Sequence, residues 1–229
     1  MKKYLAVFVM GVAMLLAPEA VAHRLVPDDG THTTAESAIS LDDMDLSQVV
    51  YHEVTAESNH LWVAFDAAAG QNLYWQLGLP AIEGLEDYRP TVVVLGPGLP
   101  AVDVPFDIPE GLGGVVVDTT GMSYEFFNEH FTGTQDWIVH EEDRTLTDAG
   151  RYYVVAYHPE GTPGKFWLAI GRREEFGLSD ILSYGDVLAF VREYHEVQDE
   201  RLPLLPSLLL VLSRVARFLR DLLGGIFGF

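Results

Sequence analysis

The stretch His60–Pro80, "HLWVAFDAAAGQNLYWQLGLP", decides the fold. Leu61, Val63 and Phe65 share one face, and Leu73, Trp75, Leu77 and Leu79 share another. Apolar residues at every second position indicate strands buried on one side. The "AAGQ" between the two runs is a turn. The same period extends outward in both directions. "VVYHEV" (49–54) precedes the stretch, and "TVVVLG" (91–96) follows as a continuous β-branched run. Such a run suits a central strand covered on both faces. "GGVVVDT" (113–119), "RYYVVAYH" (151–158) and "GKFWLAIG" (164–171) complete a set of seven strands, the last two predicted to pair as a hairpin across "PEGTPG". No helical period interrupts them. The expected architecture is mainly β: an antiparallel β-sandwich of jelly-roll or immunoglobulin-like kind over 49–171, followed by C-terminal helices.

The flanks differ in character. "MKKYLAVFVMGVAMLLAPEAVA" has two lysines, a short apolar run and small residues at Ala20 and Ala22, the three parts of a secretory signal peptide. The apolar run is shorter than the ~20 residues a bilayer span needs. Cleavage after Ala22 would leave His23 as the mature N-terminus, and would place the protein in the periplasm or at the cell surface. Residues 23–48 are polar and acidic, with Asp42, Asp43 and Asp45 in one cluster. That run lacks the Gly turn of a calcium loop, so it reads as a solvated turn.

Beyond the sandwich, 172–201 carries Ile181, Leu182, Val187, Leu188, Val191 and Tyr194 at helical spacing. Ser179 is the predicted N-cap, and Gly185 weakens the middle, favouring a break there. The tail, 202–229, joins a short apolar core at Leu208, Leu209 and Leu212 to Arg214, Arg217 and Arg220, with Phe218 among them. Arginine at mid-bilayer is costly, so a helix lying in the membrane interface fits the tail better than a span. Packing on the protein's own surface, or self-association, is the competing reading.

Composition excludes several classes. The chain has 34 acidic against 14 basic residues, a net charge of −20. Such a surface repels nucleic acid. No cysteine is present, which removes disulfides, thiol catalysis and thiolate metal sites. There is no Gly-x-Ser-x-Gly elbow, no His-Glu-x-x-His and no phosphate loop, so an enzyme is the least supported class.

Two candidate sites stand out. The segment "YEFFNEHFTGTQDW" (124–137) gathers Tyr124, Phe127, Phe131 and Trp137 around His130 and the carboxylates Glu125, Glu129 and Asp136. Read functionally, it is a loop binding a glycan or peptide; read structurally, it is a connection folded over the open edge of the sandwich. The second is His23. An N-terminal histidine chelates copper through its α-amine and imidazole when a second imidazole completes the set. His130 is the partner considered first, with His140, His52, His60 and His32 behind it. No His-x-His and no Met-rich run accompany it, so copper is the one cofactor considered and none is required.

The strand layout resembles the bacterial pre-peptidase C-terminal domain type. The matching pieces are the Asp66-to-Gly70 turn with its flanking strands and the closing segment from Ala149 to Gly171. "LYWQLGLP" (73–80), "YEFFNEHFTGTQDW" (124–137) and "GKFWLAIGRREEFGL" (164–178) are similar to stretches of exported bacterial sandwich proteins. The resemblance implies fold and location, and transfers no catalytic residue. The sequence therefore points to an exported, non-catalytic β-sandwich protein with an interaction or envelope role, tethered to the membrane surface by its tail.

Overall fold

The computed structural model describes residues 23–175, 177–199 and 201–227; the predicted leader lies outside them. Eleven strands form two stacked mixed sheets. They are β1 (Arg24–Leu25), β2 (Ile39–Leu41), β3 (Gln48–Val54), β4 (His60–Ala67), β5 (Asn72–Pro80), β6 (Thr91–Gly96), β7 (Gly113–Val117), β8 (Glu125–Glu129), β9 (Thr134–Thr145), β10 (Gly150–Tyr157) and β11 (Gly164–Ile170). Two helices follow, α1 (Leu178–Tyr194) and α2 (Leu204–Phe227). One sheet has the order β1-β3-β11-β5-β9-β8, the other β2-β4-β10-β6-β7.

The alternation places the core. Leu61, Val63 and Phe65 of β4 face Leu73, Trp75, Leu77 and Leu79 of β5 in one buried cluster with Val154, Phe166 and Leu168. The two strands of the opening stretch lie in different sheets, so their turn crosses the core edge. The predicted β10–β11 hairpin is corrected in the same way. β10 pairs with β4 and β6, whereas β11 pairs with β3 and β5. A six-residue connection has the reach to pass from sheet to sheet, and sequence period alone does not say which partner a strand takes. The antiparallel expectation is also amended at two edges. β1 and β2, both from the 23–48 segment, pair parallel with β3 and β4.

β6 is buried at all six positions, yet it lies next to the edge strand and not at the sheet centre. Its second cover is a loop. Val102, Val104, Phe106 and Ile108 pack over Val93, Leu95, Trp62 and Val155 on the outer face of the five-stranded sheet. The outer face of the other sheet is covered by α1. Tyr194 donates from its hydroxyl to the carbonyls of His52 (2.7 Å) and Phe166 (2.8 Å), and Tyr51 makes edge contacts with Phe190 and Tyr194.

α1 starts at Leu178 after an extended Gly177, not at a Ser179 cap. The Asp180 carboxylate reaches back and accepts from the Gly177 N–H at 2.7 Å. Gly185 does not break the helix. A Cβ there would lie 2.5 Å from an Arg217 guanidinium nitrogen and 3.2 Å from Leu210, so the glycine is where α2 crosses closely over α1. Ser213 is fully buried in that crossing and Arg217 pairs with Asp186 at 3.3 Å.

One side chain locks the turn before β10. The Tyr152 ring lies over Gly96, where a Cβ would meet the ring at 2.1 Å. Its hydroxyl donates to the Asp148 carbonyl at 2.8 Å, four residues upstream, as in the corner of immunoglobulin-like sandwiches. Tyr152→Phe is expected to lower unfolding free energy by about 1–1.5 kcal/mol in urea titration, the net worth of such a bond.

Candidate functional site

The cover of α1 over the six-stranded sheet is not flush. A cavity of about 410 Å³ opens between them, lined by His23, Arg24, Val49, Tyr51, Glu129 and Phe131 with Tyr184, Val187 and Val191 of the helix. A smaller cavity of about 110 Å³ shares His23, Tyr51 and Glu129 and continues to Phe127, Asp136 and Trp167. A third, of about 470 Å³, lies beneath the β8–β9 turn and includes Glu129, His130 and His195. Glu129 borders all three.

The local chain explains why these groups converge. The 124–137 segment is a β-hairpin on the sheet edge, with Phe126 opposite Trp137 and Phe127 opposite Asp136. The period of two therefore divides the residues singled out from the sequence. Tyr124 and Trp137 turn to the core side and lie against each other, ring centres 5.0 Å apart, with Arg89 over Tyr124. Phe127 and Glu129 turn to the α1 side. Phe131 follows in the turn; its carbonyl accepts from the Tyr184 hydroxyl. His130 is exposed at the turn. A helical turn over "FFNEHF" is not formed, and the five aromatic and histidine candidates do not share one face.

Beneath the cleft is a buried polar triad. Asp136 Oδ1 accepts from Trp167 Nε1 at 2.7 Å and from His195 Nε2 at 2.9 Å. His195 Nδ1 lies 2.7 Å from the Val191 carbonyl. Both ring nitrogens thus face acceptors. The Trp167 indole lies across Gly78, where a Cβ would come within 2.0 Å of the ring. A second buried pair sits one residue from Tyr51 along β3: His52 meets Asp28 at 2.6 Å and the Ser58 carbonyl at 3.2 Å.

The electrostatics of the cleft follow from desolvation. Burial raises the Glu129 carboxyl to about 7; its bond from the Phe131 N–H (2.7 Å) opposes this, while neighbouring Asp136 adds to it. Burial lowers the His23 imidazole to about 4, leaving it neutral and bonded to Ser47 Oγ at 2.6 Å. Tyr51 is raised well above its ordinary value by burial and then by the carboxylates of Asp136 and Glu129. Its hydroxyl makes no hydrogen bond to a described residue.

His23 and His130 line different cavities. The one compact carboxylate–imidazole group among the described residues is Asp28, Asp29 and His32, and Asp28 is already engaged by His52. Tyr51 and His195 were not singled out from the sequence. Tyr51 reads as an ordinary strand residue and His195 as a helix end, and only the fold brings them to the cavities that Glu129 borders.

The tail candidates are also divided. Leu204, Leu208, Val211, Val215 and Phe218 are exposed in a continuous stripe at spacings of four and three. Leu210, Ser213 and Arg217 face α1 on the opposite side. Arg214 is exposed beside the stripe, Arg220 pairs with Asp221, and Leu209 and Leu212 are half-buried. Among the described residues no helix is long and apolar enough to cross a membrane.

Fold and cleft define a two-sheet β-sandwich with a helical cover on one outer face. No family model and no curated protein matches the chain. Among solved structures, the pre-peptidase C-terminal domain of a collagenase from Bacillus anthracis is similar over 57% of this chain and 91% of that one, at 12% identity and a TM-score of 0.32.

Proposed function

We propose that this is an exported, non-catalytic β-sandwich protein held at a membrane surface by α2, where it serves an interaction or envelope role. The observation that carries this reading is the exposed stripe from Leu204 to Phe218, which α1 leaves uncovered. Each large apolar side chain moved out of water contributes roughly 1.5–3 kcal/mol at full burial, so even half-burial of five supports interfacial binding. The charge fits an anionic surface. On α2, Arg214 is exposed beside the stripe and Arg220 is exposed with its partner Asp221, whereas Arg217 faces α1, in a chain whose net charge is −20. The acidic sandwich is then directed away from the lipid and the basic helix toward it.

Co-sedimentation with phosphatidylglycerol vesicles tests the reading. The chain is expected to pellet with these vesicles, less so at high salt. Val211→Asp with Val215→Asp should reduce partitioning at least tenfold without changing the circular dichroism of the sandwich. Failure of the unaltered protein to pellet, or equal pelleting by the double variant, would reject the tether. A shift to a dimer in size-exclusion chromatography that the same substitutions abolish would assign the stripe to a second copy instead. N-terminal sequencing of protein recovered from outside the cytoplasm should begin at His23.

A further inference from the structure

We propose that the cleft between α1 and the six-stranded sheet binds a small amphiphilic amine, its ammonium taken by Glu129 and its apolar body lying on Phe131, Val187 and Val191.

A cavity of about 410 Å³ lined by apolar side chains together with a few polar groups is the usual form of a small-molecule site. The apolar part of the lining includes Val49, Phe131, Val187 and Val191. Its polar part includes the Glu129 carboxyl, the neutral His23 imidazole, the Arg24–Asp180 pair and the Tyr51 hydroxyl, which no described residue engages. A hydroxyl held in an aromatic surround without a protein partner is available to a ligand.

Charge selects the ligand class. The acids at or beside the cavity are Glu129, Asp136, Glu174, Glu175 and Asp180. Against them stand Arg24, already paired with Asp180 at 3.5 Å, Arg192, already bonded to the Thr132 and Asp199 carbonyls, and His195, already bonded to Asp136. Among the described side chains at the cavity, an anionic ligand would find every cation already engaged and would meet a desolvated carboxyl. An ammonium would find a carboxyl that burial holds near neutrality and a hydroxyl acceptor. Binding at neutral pH would displace the remaining proton of Glu129, because a nearby positive charge favours the ionised form. This site is independent of the membrane reading, since the stripe of α2 lies on the far side of that helix.

The test is isothermal titration calorimetry on the full chain in vesicle-free buffer, with 2-phenylethylammonium, 2-phenylethanol and phenylacetate as probes. The ammonium is expected to bind at least tenfold more tightly than either other probe. Its affinity should rise at least threefold from pH 5.5 to 8, with proton release at pH 6.5 seen as buffer-dependent heat. Glu129→Gln, which keeps the fold, should lose at least tenfold; Val187→Trp should fill the cavity and abolish binding. Equal binding of the alcohol or the anion, no binding by the ammonium, or unchanged affinity in Glu129→Gln would each overturn the proposal. Val211→Asp with Val215→Asp should leave the affinity unchanged, which separates failure here from failure of the tether.

Discussion

Asp136→Ala is expected to cost about 3–5 kcal/mol of unfolding free energy, because it leaves two buried donors unpaired at about 1–3 kcal/mol each. Asp136 is 4% exposed and one of its oxygens accepts from both Trp167 and His195. Its loss strands two buried donors at once. The Trp167 indole cannot move toward water, because it is wedged over Gly78. His195 cannot either, because its other nitrogen and its backbone N–H are tied to Val191. Asp136→Asn keeps an acceptor for Trp167 but not the negative charge that faces His195, so it should cost about half as much. Urea titration of the three proteins gives the order directly. A loss below 1 kcal/mol for Asp136→Ala would show that water replaces the carboxylate. Hydrogen exchange adds a local readout: amides in the last turn of α1 should lose protection ahead of those in β10, since Asp136 pins that end of the helix to the sheet.

The strands legible in the sequence were those that bury one face under the other sheet. Leu61, Val63, Phe65 and the Leu73–Leu79 set are periodic because each alternate side chain enters the same core, and all seven runs read from that period are strands. The four missed strands lack the condition that makes the period visible. β1 and β2 are two and three residues long. β8 is an edge strand whose two faces are both partly exposed, so "EFFNE" shows no contrast. In β9 a register shift opposite Leu77 and Gly78 inserts Val139 as an extra residue and resets the phase midway. Strand partnership was not legible for another reason. A turn that stays within a sheet and one that crosses between sheets both need Gly and Pro, and the facing side chains are apolar either way.

The site was legible only in part. Glu129 and Asp136 were flagged as carboxylates among aromatics, which is an anomaly of composition. Their partners Tyr51 and His195 lie far away in sequence and carry no local anomaly. The aromatics were grouped by proximity along the chain, and the hairpin undid that grouping, because neighbours in a strand point to opposite faces. Gly185 shows the same limit in the helices. Propensity read it as a weak point, whereas a second helix requires it for close approach.

Glu129→Gln is expected to stabilise the protein by about 3 kcal/mol above pH 8 and to leave it unchanged near pH 4. The folded protein holds the Glu129 proton to about pH 7, the unfolded chain only to about 4.5. Below 4.5 both states are protonated and the residue contributes nothing. Between 4.5 and 7 the folded state binds the proton and the unfolded state does not, so stability falls as pH rises. Above 7 the folded state must ionise a desolvated carboxyl, and the full difference is reached, at 1.36 kcal/mol per pH unit separating the two values. Glutamine keeps the acceptor that the Phe131 N–H requires and never ionises. Urea titrations of both proteins from pH 4 to 8.5 should therefore diverge with rising pH; a constant offset would show that burial of Glu129 is not the cause. A carboxyl that opposes folding at neutral pH fits a position kept for binding, where activity is commonly set against stability. The ligand supplies the remaining step. At pH 8, 2-phenylethylammonium should raise the unfolding midpoint of the unaltered protein by mass action, and the Glu129→Gln protein, already relieved of the buried charge, should not respond.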